Sequence, residues 1–237
     1  VTVDENFEME NVLAKSVDVS DDGLTYTFQL HEGVKFHDGT EFTAEDVAYT
    51  YDFYRNPDNG ASIAGEFTGV GSVEAPDKYT VVVNMETVNA GSLTGWAGTS
   101  IVQSKYHAEV GEEKYRTAPI GTGPYKLKEW RPAEFTELVA FDDHFRGRPN
   151  IDVLRQDVVP EPSVRMIALQ SGEADSAVWP LLVEDSVFLE SDPGFVVYRT
   201  LANSIKHFPL NLRVPALSDK MVRKAMMHAL DRQRIID

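Results

Sequence analysis

The sequence predicts a mixed α/β or α+β domain, and three observations carry that prediction. Hairpin-like strand pairs are mixed with strand–helix alternation along the chain. The composition is globular, with 42% apolar and 25% charged residues. There is no internal repeat, low-complexity tract or long charge run. At 237 residues, the chain is long enough to bury roughly 70–75% of its unfolded surface.

The elements follow in chain order. Leu24 to Leu30 (LTYTFQL) alternates and is rich in aromatic and β-branched residues, so it reads as a strand after the turn Asp21-Asp22-Gly23. Gly33 to Phe36 reads as a short second strand, with Asp38-Gly39 as a tight turn. Thr43 caps a helix whose first turn holds Glu45 and Asp46, with Ala44, Val47, Ala48 and Tyr51 as its buried face and Asn56 to Gly60 as its end. Val70 to Ala75 and Tyr79 to Met85 form a hairpin joined by Pro76-Asp77-Lys78. Gly91 to Ser100 is rich in small residues around Trp96, and Ser104 to Arg116 reads as two short helices broken at Gly111. Gly121-Thr122-Gly123-Pro124-Tyr125 is a rigid turn that leads into a strand over Lys126 to Trp130.

Further strands are expected at Phe135 to Phe141 and Ile151 to Val159. Pro162 at a first helical position and Gly172 past the end frame a helix over Ser163 to Ser171, with Val164, Ile167 and Ala168 as its apolar stripe. Ala174 to Trp179 is a short strand or turn, Leu181 to Glu190 a helix, and Phe195 to Thr200 and Ile205 to Leu212 are strands. Ser218 to Asp237 reads as a helix, N-capped by Ser218 or Asp219, with an apolar stripe at Val222, Ala225, Met226, Ala229 and Leu230. That stripe needs a packing partner. Together with a start at Val1 rather than Met, it suggests a fragment of a longer protein, and self-association is one way to cover such a surface.

Charge and composition exclude several classes. With 22 basic against 38 acidic residues the net charge is −16, which argues against nucleic acid and anionic membrane surfaces as partners. The absence of cysteine removes disulfides, thiolate nucleophiles and Cys-ligated metals. No apolar run approaches the roughly 20 residues of a membrane-spanning helix, and no signal peptide is visible.

Motifs for catalysis are missing as well. There is no G-x-S-x-G, H-E-x-x-H or P-loop. Gly121-Thr122-Gly123 lacks the third glycine and the following helix of a dinucleotide fingerprint. The histidines, His31, His37, His107, His144, His207 and His228, show no i, i+4 pair, so no metal site and no cofactor are expected. Asp21-Asp22 and Asp142-Asp143 read as solvated turn residues. Trp96, in its glycine-rich setting, and Trp179, before Pro180, are candidate walls of a small-ligand pocket, with core packing as the competing reading. Trp130 ends a strand beside Arg131-Pro132 and reads as core.

Four stretches, taken in order, carry a resemblance. They are DDGLTYTFQLHEGVKFHDGTEFTAEDVAYTY at Asp21 to Tyr51, PIGTGPYKLKEW at Pro119 to Trp130, ALQSGEAD at Ala168 to Asp175, and NLRVPALSDKMVRKAMMHALDRQRII at Asn211 to Ile236. With these the chain resembles the bacterial solute-binding proteins of family 5, the oligopeptide-, dipeptide- and nickel-binding type that serves ABC importers. It departs from the family pattern at Val17 and Val19, near the usual Trp, and at His144-Phe145, in place of Tyr-Trp.

The resemblance implies a two-lobed, periplasmic-binding-protein-like fold truncated at both ends. Residues 12–119 would be an inserted subdomain of the first lobe, 120–204 the main sheet, and 205–237 the hinge crossing with the first helix of the second lobe. Val178 and Trp179, and Lys206, His207 and Phe208 on the hinge strand, would line the ligand cleft, with Trp96 as a further candidate on residue grounds. The expected partners are a small solute, most readily a peptide, and a membrane permease, in the periplasm or outside the cell. The chain itself would catalyse nothing. Alternatives within the family are nickel complexes, opines or oligosaccharides; outside it they are a hydrolase with cleft carboxylates or a signalling domain.

Overall fold

A computed structural model describes residues 1–4, 6, 8–177, 183–198, 208–231 and 234. The chain divides into two compact units, Val1–Pro160 and Glu161–Asp237. The first holds a short hairpin, β1 (Thr2–Val3) with β2 (Met9–Glu10), and two larger sheets. Strands β3 (Ala14–Val19), β4 (Thr25–Leu30), β5 (Val70–Asp77) and β6 (Thr80–Met85) form an antiparallel sheet of order β3-β4-β6-β5. Strands β7 (Tyr125–Arg131), β8 (Phe135–Ala140) and β9 (Val153–Asp157) form a second antiparallel sheet in sequence order.

The alternation that predicts β4 also sets its packing. Tyr26, Phe28 and Leu30 on β4 and Val81, Val83 and Met85 on β6 all point to the buried face. Helix α1 (Ala44–Arg55) lies in the same core through Ala44, Val47 and Tyr51, while Ala48 is only half-buried. Its start is fixed by a returning carboxylate: Asp46 Oδ2 accepts from Thr43 N–H at 2.9 Å and from the Thr43 hydroxyl at 3.2 Å. The other oxygen, Oδ1, accepts from Ser104 N–H at 3.0 Å and the Ser104 hydroxyl at 2.7 Å. Ser104 opens helix α3 (Ser104–Thr117), so one buried carboxylate holds the starts of two helices. The short α2 (Ser92–Trp96) carries Trp96 into the core.

Gly111 breaks α3, with φ 75° and ψ 167°, a region open essentially to glycine alone. The break lets His107 and Glu112 meet. His107 Nε2 donates to Glu112 Oε2 at 3.0 Å, and Nδ1 accepts from the Tyr49 hydroxyl on α1 at 2.7 Å.

In the second unit, helix α4 (Pro162–Ser171) begins on Pro162 and ends at Gly172, whose φ is 73°. Helices α5 (Val183–Glu190), α6 (Pro215–Ser218) and α7 (Lys220–Ala229) follow, with Asp219 capping α7 through Met221 N–H at 2.7 Å. No described helix is long and apolar enough to cross a membrane.

Several expectations are corrected. Gly33 to Phe36 is no strand but one side of a tight loop, closed by a single Lys35–Glu41 bridge and by Phe42 N–H to Val34 O at 2.8 Å. Val34, Phe36 and Phe42 are nevertheless fully buried, because the loop folds its apolar residues under the sheet. Strand β3 was not expected; its pairing with β4 is interrupted by a register shift between Ala14 and Ser16, which blurs the two-residue period. The α4 stripe is misplaced: Val164 and Ile167 are exposed, and Met166 is the buried residue. Periodicity identifies residues that share a face but not which face finds a partner. Residues 195–198 and 208–212 form no strand, since none of them pairs with a neighbour among the described residues. The rest of those two expected strands lies outside the described residues. Of the helix expected over Ser218 to Asp237, Lys220–Ala229 is helical, with Val222, Met226 and Leu230 exposed, and residues 232, 233 and 235–237 lie outside the described residues.

Candidate functional site

The first unit contains a cavity of about 420 Å³, within the range of small-ligand pockets. Ala14, Phe28 and Leu30 of the four-stranded sheet form one wall, and Tyr51 and Trp96 another. Its polar margin comes from Thr99 and Ser100, from the turn Gly121–Pro124, and from His144. Segments far apart in sequence therefore meet here, which explains why pattern reading did not assemble the site.

Two of the quoted motifs close against each other at this margin. His37, in the F-H-D-G turn, donates from Nε2 to Gly123 O at 3.0 Å, and its Nδ1 accepts from Gly121 N–H at 3.3 Å. The His37 backbone N–H also donates to Gly121 O at 2.9 Å. The ring stands edge-on to Phe141 at 5.2 Å. Partial burial is the largest influence on the ring and holds its pKa below the ordinary histidine value. The Lys35–Asp143 ion pair, at 2.9 Å, ties the loop of His37 to the segment that follows β8 at the surface. The turn at Gly121 is thus a clamp between the two sheets rather than a phosphate loop.

Trp96 is 1% exposed. Its Nε1 donates to Glu66 O at 3.0 Å, and its ring meets Tyr26 at 5.2 Å and Tyr51 at 5.6 Å. It borders the cavity from within the core. Phe208 lies in the second unit and is 75% exposed. Val178, Trp179, Lys206 and His207 lie outside the described residues. Trp130, read as core, is exposed at the end of β7. Of the short strand or turn expected over Ala174 to Trp179, residues 174–177 form no strand and bend at Asp175, and the rest lies outside the described residues. Among the described residues no group of three or more His, Asp or Glu side chains is placed to hold a metal ion.

The fold agrees with what comparison shows. The model of the bacterial extracellular solute-binding proteins, family 5 Middle, matches residues 8–237. The chain belongs to this family. The oligopeptide-binding protein AppA of Bacillus subtilis is 30% identical over 240 residues, covering 98% of this chain and 44% of AppA. The structure of AppA in complex with a nonapeptide superposes with a TM-score of 0.89, at 31% identity, over 99% of this chain and 48% of that one. The structure of NikZ from Campylobacter jejuni in complex with Ni(L-His) gives a TM-score of 0.90, at 29% identity, over 99% of this chain and 47% of that one. The glutathione-binding protein GsiB of Pectobacterium atrosepticum is 30% identical over 240 residues, covering 98% of this chain and 46% of GsiB. The family chain described here therefore spans a little under half the length of the curated relatives it matches. Its fold is that of these periplasmic-binding-protein-like structures, as the residues quoted above imply.

Proposed function

We propose that this chain is part of the substrate-binding component of an ABC importer, which captures a solute outside the cytoplasm and presents it to a membrane permease. Oligopeptides are the proposed solute class. The observation that carries this reading is the likeness to AppA with its bound nonapeptide, over 99% of this chain. A peptide offers backbone amides, two charged ends and varied side chains. A tolerant site meets the backbone with hydrogen bonds and leaves wet, roomy pockets for the side chains. The protein catalyses no reaction in this account; binding and closure are its whole task.

In this reading residues 12–119 are the inserted subdomain, 120–204 the main sheet of the first lobe, and 205–237 the hinge crossing and start of the second lobe. Val178, Trp179, Lys206, His207 and Phe208 are the proposed ligand contacts, and Trp96 supports the first lobe from within. A nickel complex is the second reading, prompted by the likeness to NikZ with Ni(L-His).

A thermal-shift screen tests both, using the protein expressed from its complete gene against di- to pentapeptides, nickel with and without histidine, and short oligosaccharides. A ligand that binds only the native state raises the melting temperature as RT ln(1 + [L]/Kd), by about 2.7 kcal/mol of stability at a hundredfold excess over Kd. Peptides are expected to give the shift. A shift with nickel and histidine alone would transfer the assignment to the second reading.

A further inference from the structure

The His37 clamp has a property that the transport reading does not use. The Gly123 carbonyl can only accept a hydrogen bond and the Gly121 amide can only donate one. Both bonds are satisfied together by a neutral imidazole protonated at Nε2, and by no other form of the ring. A second proton would sit on Nδ1 and face the Gly121 N–H, leaving two donors opposed with no acceptor between them.

We propose that His37 is a proton-sensitive latch: in its neutral form it fastens the F-H-D-G turn under the four-stranded sheet to the Gly121–Gly123 turn that enters the three-stranded sheet, and protonation weakens the latch by replacing the Gly121 N–H bond with two opposed donors while the Nε2–H bond to Gly123 O remains. The latch rests on geometry within one compact unit and on no assumption about the ligand. Because Gly121–Pro124 also forms part of the cavity margin, loss of the Gly121 N–H bond weakens that margin as well.

The surroundings favour the neutral ring. Partial burial disfavours the imidazolium most. Lys126 on β7 and His144 beyond β8 act in the same sense as like charges, while the hydrogen bond to the Gly123 carbonyl, second only to burial, and Asp38, in the turn of His37 itself, oppose them. Phe141, which packs on the imidazole edge, also carries the Lys126 ammonium at 5.4 Å from its ring centre, so this cation is held nearby.

The sign of the pH effect follows. The folded-state pKa lies below the unfolded value, so the unfolded chain binds more protons as the solution is acidified. The stability that the neutral ring contributes is fully present above about pH 6.5, the ordinary histidine value. It is lost as pH falls through the lower, folded value.

The test uses ¹⁵N-labelled protein expressed from its complete gene. Long-range imidazole NMR at pH 7.5 is expected to show His37 as the Nε2–H tautomer, titrating below the ordinary histidine value, with the signal assigned by its loss in His37→Gln. Glutamine offers one donor and one acceptor but does not titrate. The melting temperature of native protein is therefore expected to fall more between pH 7.5 and 5 than that of His37→Gln. Titration of His37 at or above the ordinary value, a neutral-pH Nδ1–H tautomer, or equal acid sensitivity of the two proteins overturns the latch. Should His37→Gln fail to fold, the tautomer and titration of the native ring decide alone.

Discussion

Replacing Trp96 with alanine is expected to lower stability by about 3–5 kcal/mol, the range for removing a buried aromatic side chain. The substitution removes the largest fully buried side chain from the core it shares with Tyr26, Phe28, Tyr51 and Phe67. It also leaves the Glu66 carbonyl without the donor it now accepts from. For a chain of this size such a loss lowers the melting temperature by on the order of 10 °C. Trp96→Phe should recover much of the packing but not the hydrogen bond, and so fall between the two. Thermal melting of the three proteins without ligand is the check. Unchanged melting in Trp96→Ala would mean that the ring serves a ligand rather than the core.

The second large effect is expected at Asp46. Its two oxygens carry four hydrogen bonds, two to Thr43 and two to Ser104, from a side chain that is 5% exposed. Asp46→Ala removes a helix cap worth about 1 kcal/mol. It also strands donors at Thr43 and Ser104 that cost about 1–3 kcal/mol in partly buried surroundings, so a total near 3 kcal/mol is expected. Asp46→Asn separates the two roles, because the amide keeps one accepting oxygen and replaces the other with a donor. It can serve Thr43 or Ser104, not both, and should lose about half as much. Denaturant titration reads this as a shift in midpoint at constant slope. Equal stability of Asp46→Asn and the native protein would show that one of the two helix starts does not depend on the carboxylate.

What the sequence discloses about this fold is mostly local. β4 and β6 are legible because alternating Tyr26, Phe28 and Leu30 face alternating Val81, Val83 and Met85. Helix α1 is legible because Thr43 and Asp46 have a capping spacing, and the break in α3 and the end of α4 because Gly111 and Gly172 take backbone angles that other residues avoid. What fails depends on partners. Strand β3 is hidden by its register shift, and the stripe of α4 by facing away from what its helix buries. The apolar content of residues 195–198 suggests a strand but meets no ladder.

The same division holds for the site. Family resemblance points to residues 178 and 206–208 through motif order alone, whereas Trp179 also stands out locally as an aromatic before Pro180. The latch between His37 and Gly123 spans 86 positions; each half stands out in the sequence as a turn, but nothing in either half says that they meet. The family departures at Val17, Val19 and His144-Phe145 read as packing changes; Val17 and Phe145 do pack against the core, whereas Val19 is exposed.

Calorimetric titration of the protein, expressed from its complete gene, with an oligopeptide tests the central claim most directly. The account predicts saturable binding at one site, with recovery of the peptide intact and a negative heat-capacity change as apolar surface is buried. Absence of saturable binding across peptide lengths, or recovery of cleaved peptide, would contradict it.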